Sequence, residues 1–162
     1  MSAKQVLLEQ FEASYAENGW FVCLKNAIEG VTQEQSVWKI EGLDHSIRES
    51  VIHITYWCER WMKRYRGEEP GAGKSEISET YLNGREPDWE SEKTELFRVM
   101  DAWIEALKNI SDEKLNEQVS DSYTEPWYIP LAHQNLHIVY HTSQIVVARK
   151  LQKTWEPGKG VF

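Results

Sequence analysis

Between Ile47 and Tyr65 the apolar residues fall at alternating spacings of four and three: Ile47, Val51, Ile54, Cys58, Trp61 and Tyr65. An α-helix gathers all six onto one stripe, whereas a strand would scatter them over both faces. The pattern returns in Trp89, Leu96, Met100, Trp103, Leu107 and Ile110, with Lys93 in its one polar slot. A helix with such a stripe must bury it against others, and the natural partners are further helices.

Two more helical stretches complete the set. The first runs from about Ala3 to Ile28, bent near Asn18-Gly19 and ended by Gly30; Thr32-Gln33-Glu34-Gln35 has capping-box character and starts a short turn. The second helix spans about His45 to Arg66, capped by Asp44 or Ser46, and the third about Asp88 to Ile110. The fourth starts near Pro126 or Trp127, carries Pro130 in its first turn and reaches about Lys153. Gly67 to Pro87 is a polar connector long enough to cross the molecule, and Ser111 to Glu125 is turn-rich, with one helical turn near Asp112 to Glu117. Strand signals are weak throughout. The expected class is all-α: one four-helix-bundle domain over residues 1–162 with long inter-helix connectors.

Charge narrows the partners. Acidic residues outnumber basic ones 26 to 18, a net charge of −8. Such a chain repels phosphate backbones and anionic lipid, so neither nucleic acid nor a membrane surface is an expected partner. No run approaches a membrane span, and the N-terminal stretch turns amphipathic without the apolar segment of a signal peptide. Cys23 and Cys58 lie far apart with no paired spacing, as expected of two reduced, partly buried thiols in a cytoplasmic protein.

The histidines carry the chemistry. His133, His137 and His141 are spaced by four and four, which keeps them on one helix face. Tyr140, Gln144, Val147 and Leu151 accompany them, so that face is expected to point inward. Two histidines four apart can share one ion, but His133 and His141, about 12 Å apart along the axis, cannot both reach it. A third ligand must come from another helix. His45 lies at the tip of the second helix, where a solvated side chain is expected, and His53 lies well inside it. Mid-helix residues meet mid-helix residues in a bundle, which favours His53. His53 sits at the flank of its seam with Ser50 and Trp57, a position suited to a pocket wall. Spacing alone leaves two readings open: hydrogen-bonded core histidines, or metal ligands.

Two segments now bear on that choice. His53-Ile54-Thr55-Tyr56-Trp57, preceded by Ser46-Ile47-Arg48-Glu49, and His137-Ile138-Val139-Tyr140-His141-Thr142-Ser143-Gln144-Ile145, followed by Arg149, resemble the second-helix and last-helix motifs of the DinB-like family of metal-binding bundles. Ser143 stands where that family usually has Gly, and Thr142 where Arg is frequent. The resemblance implies a DinB-like four-helix bundle in which His53, His137 and His141 hold one divalent ion.

Three imidazoles leave coordination positions open, the pattern of a catalytic rather than a structural ion. All-nitrogen ligation suits Zn²⁺, Ni²⁺, Fe²⁺ or Cu²⁺ without choosing among them; the expected cofactor is one divalent ion, Zn²⁺ or Ni²⁺ ahead of Fe²⁺. Glu-x-x-His pairs and an HExxH segment are absent, which argues against a diiron bundle and a zincin. By resemblance, the expected function is metal-dependent transfer of a low-molecular-weight thiol to a small electrophile, or a related hydrolysis, by a homodimer. The alternative is a non-catalytic metal or small-ligand binding module, or a stress-response protein. His133 is the candidate base, Gln144 can orient a ligand or water, and Tyr56, Trp57 and Trp127 are candidates for the mouth of the site.

Overall fold

The apolar stripes resolve into four long helices in a computed structural model that describes residues 2–39 and 41–160. These are α1 (Ala3–Tyr15), α4 (Ile47–Tyr65), α5 (Trp89–Asn109) and α7 (Tyr128–Leu151). Around the bundle α1 packs on α7, α7 on α4, α4 on α5, and α5 back on α1. Short helices α2 (Leu24–Ile28), α3 (Gln33–Val37) and α6 (Asp112–Asn116) fill the connections. No helix among the described residues is long and apolar enough to cross a membrane.

The caps follow the sequence. Ser46 closes a capping box on α4: its hydroxyl accepts from the Glu49 amide at 3.2 Å, and Glu49 Oε2 accepts from the Ser46 amide at 2.7 Å. Asp88 accepts from the Ser91 amide at 3.1 Å to start α5. The apolar residues of the α5 seam are buried, as are those of the α4 seam through Cys58, with Trp61 and Tyr65 half-buried; the two α5 tryptophans are satisfied, Trp89 Nε1 donating to the Val31 carbonyl at 2.8 Å and Trp103 Nε1 to the Cys58 carbonyl at 2.9 Å. Lys93 lies over the Trp89 ring and pairs with Glu90, so its stem packs while its charge stays near water. Cys23 and Cys58 are free and fully buried, and burial pushes both thiols up, Cys58 to about 12.

Three expectations change. The first helix is broken, not bent: α1 stops at Tyr15, and Asn18 Oδ1 accepts from the Cys23 amide and from Asn26 Nδ2, both at 3.0 Å, which restarts the chain as α2. A small antiparallel hairpin, β1 (Gln118–Ser120) with β2 (Tyr123–Pro126), occupies the turn-rich segment; strands this short and exposed carry no alternation to read. The inward face of α7 is also different. Tyr140, Val147 and Leu151 are 60%, 46% and 53% exposed, while Leu131, Gln134, Asn135, Ile138, His141, Thr142, Ile145, Ala148 and Arg149 are buried. Alpha-7 is apolar on several sides, so its pattern does not define one face, and five polar side chains belong to the buried one.

The 67–87 connector does more than cross the bundle. It lays a 3₁₀ turn (Ile77–Tyr81) against α4, with Thr80 and Tyr81 buried. A buried network anchors it. Arg48 on α4 forks onto Glu92 on α5, with Nε 2.7 and 2.8 Å from the two carboxylate oxygens. Asn83 of the connector donates to Glu92 at 3.1 Å and accepts from Arg48 Nη2 at 3.1 Å, while the Arg85 carbonyl accepts from the same Nη2 at 3.3 Å. Two helices and the connector are thereby held in one register.

Candidate metal centre

His53 comes from the middle of α4, and His137 and His141 from successive turns of α7. Their rings converge: Nε2 of His137 lies 3.0 Å from Nε2 of His53 and 3.0 Å from Nε2 of His141. One ligand atom from each residue falls within 4.8 Å of the others, so the three histidines can hold a metal ion.

The second nitrogen of two rings fixes their tautomers. The Thr80 hydroxyl donates to the Ile77 carbonyl, so its oxygen accepts from Nδ1–H of His53 at 2.6 Å. The Gln144 Oε1 can only accept, so it takes Nδ1–H of His141 at 2.7 Å. In their neutral form both rings therefore turn a bare Nε2 lone pair toward His137. A single proton on His137 Nε2 can satisfy one of them; a cation satisfies all three. Nitrogens bound to zinc at about 2.0–2.1 Å in a tetrahedron lie about 3.3 Å apart. The spacing here is a few tenths of an ångström tighter, so the donor set fits a small divalent cation.

The environment keeps the rings neutral. Burial drives the His53 imidazole down to about 3, with His141, His137 and His45 adding repulsion. Burial and then His141 bring His137 down to about 4. Burial also lowers His141, against the opposing hydrogen bond of Gln144. Neutral pH thus finds three deprotonated ligand nitrogens, which is the state a metal requires.

The connector supplies what the sequence reading lacked. Tyr81 stacks on His53 with ring centroids 4.0 Å apart, and its other face stacks on His45 at 3.5 Å. His53 is consequently only 3% exposed, fully buried where a pocket wall was expected. His45 is half-buried in this stack instead of solvated. The signal for Thr80 and Tyr81 was slight: a Thr-Tyr-Leu run inside a connector otherwise rich in Gly, Glu and Ser.

The other candidates separate. His133 is exposed and shares a cavity with His137, Trp57, Trp61, Tyr123, Pro130 and Gln134. Gln144 orients His141 directly. Trp57 lies at the mouth as expected, edge-on to His53. Tyr56 meets Trp57 edge-to-face at 5.2 Å but lines a different cavity, beside Glu59 and Lys74, and Trp127, just before α7, is buried against Trp61 and Tyr65. Arg149 is structural: it donates to the Ala27 and Glu29 carbonyls at 2.9 and 3.0 Å, closing the end of α2.

Fold and site together define a class, a helical bundle with three converging imidazoles that can hold a metal ion. The comparison with protein families makes this particular: a family model described as the DinB superfamily matches residues 24–145, and the chain belongs to that superfamily. The matched span contains all three histidines, Thr80 and Gln144. Neither the curated proteins nor the solved structures yield a match to this chain.

Proposed function

We propose that this chain is a metal-dependent enzyme that transfers a low-molecular-weight thiol to a small electrophile, with Zn²⁺ or Ni²⁺ held by His53, His137 and His141. The observation that carries the reading is the set of three converging Nε2 atoms with no Cys, Asp or Glu joining them among the described residues. A site with three protein ligands keeps positions for exchangeable ligands. A divalent cation there supplies a Lewis acid that favours the deprotonated form of a small thiol or of water.

The chain's own residues divide the remaining work. Thr80 and Gln144 hold the tautomers of His53 and His141. His133, exposed beside His137, is the proposed acceptor of the thiol proton. The sulfur then bonds to the electrophilic carbon as the bond to the leaving group breaks. The nucleophile comes from outside, since both protein thiols are buried and held protonated. Two buried free thiols also support a cytoplasmic location. We assign a homodimer to the exposed α7 stripe of Leu136, Tyr140, Val147 and Leu151, where small Ser143 permits close approach of a second copy.

The test is a panel of small thiols and electrophiles screened on metal-loaded and metal-free protein. Thiol conjugation that requires the metal supports the proposal. Stoichiometric metal with no turnover across the panel would favour the binding-module reading.

A further inference from the structure

Gln134 is 5% exposed, and neither its amide nitrogen nor its amide oxygen has a hydrogen-bond partner among the described residues. A buried amide without partners is costly, because it gave up its hydrogen bonds to water and regained none. Its neighbours show where a partner would enter. Gln134 lines a cavity of about 310 Å³ with Trp57, Trp61, Tyr123, Pro130, His133 and His137. The volume suits a small organic molecule.

The lining defines the ligand's chemistry. Three aromatic rings supply flat apolar walls, and Tyr123 meets Trp61 edge-to-face at 5.2 Å. No Lys, Arg, Asp or Glu is among the lining residues, so apart from the two histidines nothing there answers a full charge. The one feature that needs a partner is a primary amide, which offers a donor and an acceptor side by side and is complementary to another amide edge. A rotation of the Gln134 side chain would present that edge to the cavity it lines.

We propose that this cavity is the specificity pocket beside the histidine centre, and that Gln134 reads a neutral planar substrate through a carboxamide-type edge, an adjacent N–H donor and C=O acceptor. The assignment to substrate rests on the metal-dependent reading above, since His137 belongs to both the cavity and the centre. Binding in the cavity requires no metal.

Benzamide, acetophenone and benzoate serve as probes, titrated into metal-free and Zn²⁺-loaded protein while the indole N–H signals of Trp57 and Trp61 are followed by NMR. Acetophenone keeps the acceptor and lacks the donor; benzoate adds a charge. Benzamide should bind at least about tenfold more tightly than acetophenone in both forms of the protein, and than benzoate in the metal-free form, and shift both indole signals. Gln134→Leu should reduce benzamide to the acetophenone level and raise the thermal midpoint of the ligand-free protein, because the unpartnered amide is gone. Equal affinity for benzamide and acetophenone in the wild type, or a benzamide preference that survives Gln134→Leu, overturns the proposal. The wild-type comparison does not depend on the variant folding. The metal is assayed separately: normal metal binding without benzamide preference defeats this inference alone, and benzamide preference without metal binding leaves the recognition by Gln134 standing while its assignment to substrate falls with the metal-dependent reading.

Discussion

The Thr80 hydroxyl oxygen lies 2.6 Å from Nδ1 of His53, and because its own proton is committed to the Ile77 carbonyl it can only accept there. A connector residue thus decides which nitrogen of a helix residue faces the other two histidines. Removing such an orienting partner typically weakens a metal site about 10- to 100-fold. Thr80→Val keeps the shape and loses the acceptor. We expect it to weaken Zn²⁺ binding about tenfold or more in a chelator competition; affinity equal to wild type would mean that the hydrogen bond does not orient the ring.

The buried ring of Arg48, Glu92 and Asn83 should matter for stability before it matters for chemistry. Glu92→Gln leaves the Arg48 charge without its buried partner, a loss of about 3 kcal/mol or more. Because Asn83 ties the connector to this pair, the same variant should loosen Thr80 and Tyr81 and weaken metal binding. Urea unfolding checks the first effect and chelator competition the second. An unchanged urea midpoint would show that the pair is not a stabilising anchor.

The pH dependence has a definite sign. Histidine in an unfolded chain titrates near 6.5, and His53 and His137 in the folded protein near 3 and 4. Between those values the unfolded state binds protons that the folded state refuses. The stability contribution is therefore fully present above about pH 6.5 and is lost as pH falls toward about 4. Metal-free wild type should lose more stability between pH 7 and pH 5 than His53→Gln, measured by urea midpoint. Equal losses would contradict the assignment. For the metal itself, composition alone places the onset of proton competition near the ordinary histidine value. The folded site lowers all three imidazoles, so affinity should begin to fall at a lower pH than that, and a fall that starts above pH 6.5 would contradict it.

Association is tested on the exposed stripe of α7. Light scattering at micromolar concentration should give twice the 19.0 kDa chain mass. Val147→Glu, which sets a charge in the middle of the stripe, should return the monomer mass. A wild-type mass near one chain would reject the homodimer.

Much of this was legible in the sequence, for specific reasons. The seams of α4 and α5 recur with helical period, so those helices and their caps follow from spacing; reach favoured His53 as the partner of His137 and His141, and the family resemblance marked the three as ligands. Alpha-7 was legible as a helix but not as a face, because Val139, Val146 and Val147 blur its period while Gln134, Asn135 and Arg149 are buried. The break after Tyr15 depends on one side chain, Asn18, bonding to Cys23 and Asn26. Thr80 and Tyr81 were illegible for a deeper reason: a connector without periodicity gives no signal of the helix it will cover, and their roles exist only once Asn83 and Arg48 have met. His45 is the same case, since its stacking partner lies in that connector.

The central claim is that His53, His137 and His141, and not His45, hold one divalent ion. His45 reaches Tyr81 but does not join the cluster of ligand atoms. Zn²⁺ affinity by competition with a chromogenic chelator at pH 7.5 tests this directly, on wild type and on His53→Ala, His137→Ala, His141→Ala and His45→Ala, each checked for folding by circular dichroism. Wild type should bind about one ion per chain, each of the first three variants should lose at least about a hundredfold in affinity, and His45→Ala should stay within about tenfold of wild type. Metal retained by both His137→Ala and His141→Ala, or lost in His45→Ala and kept in His53→Ala, would contradict the account.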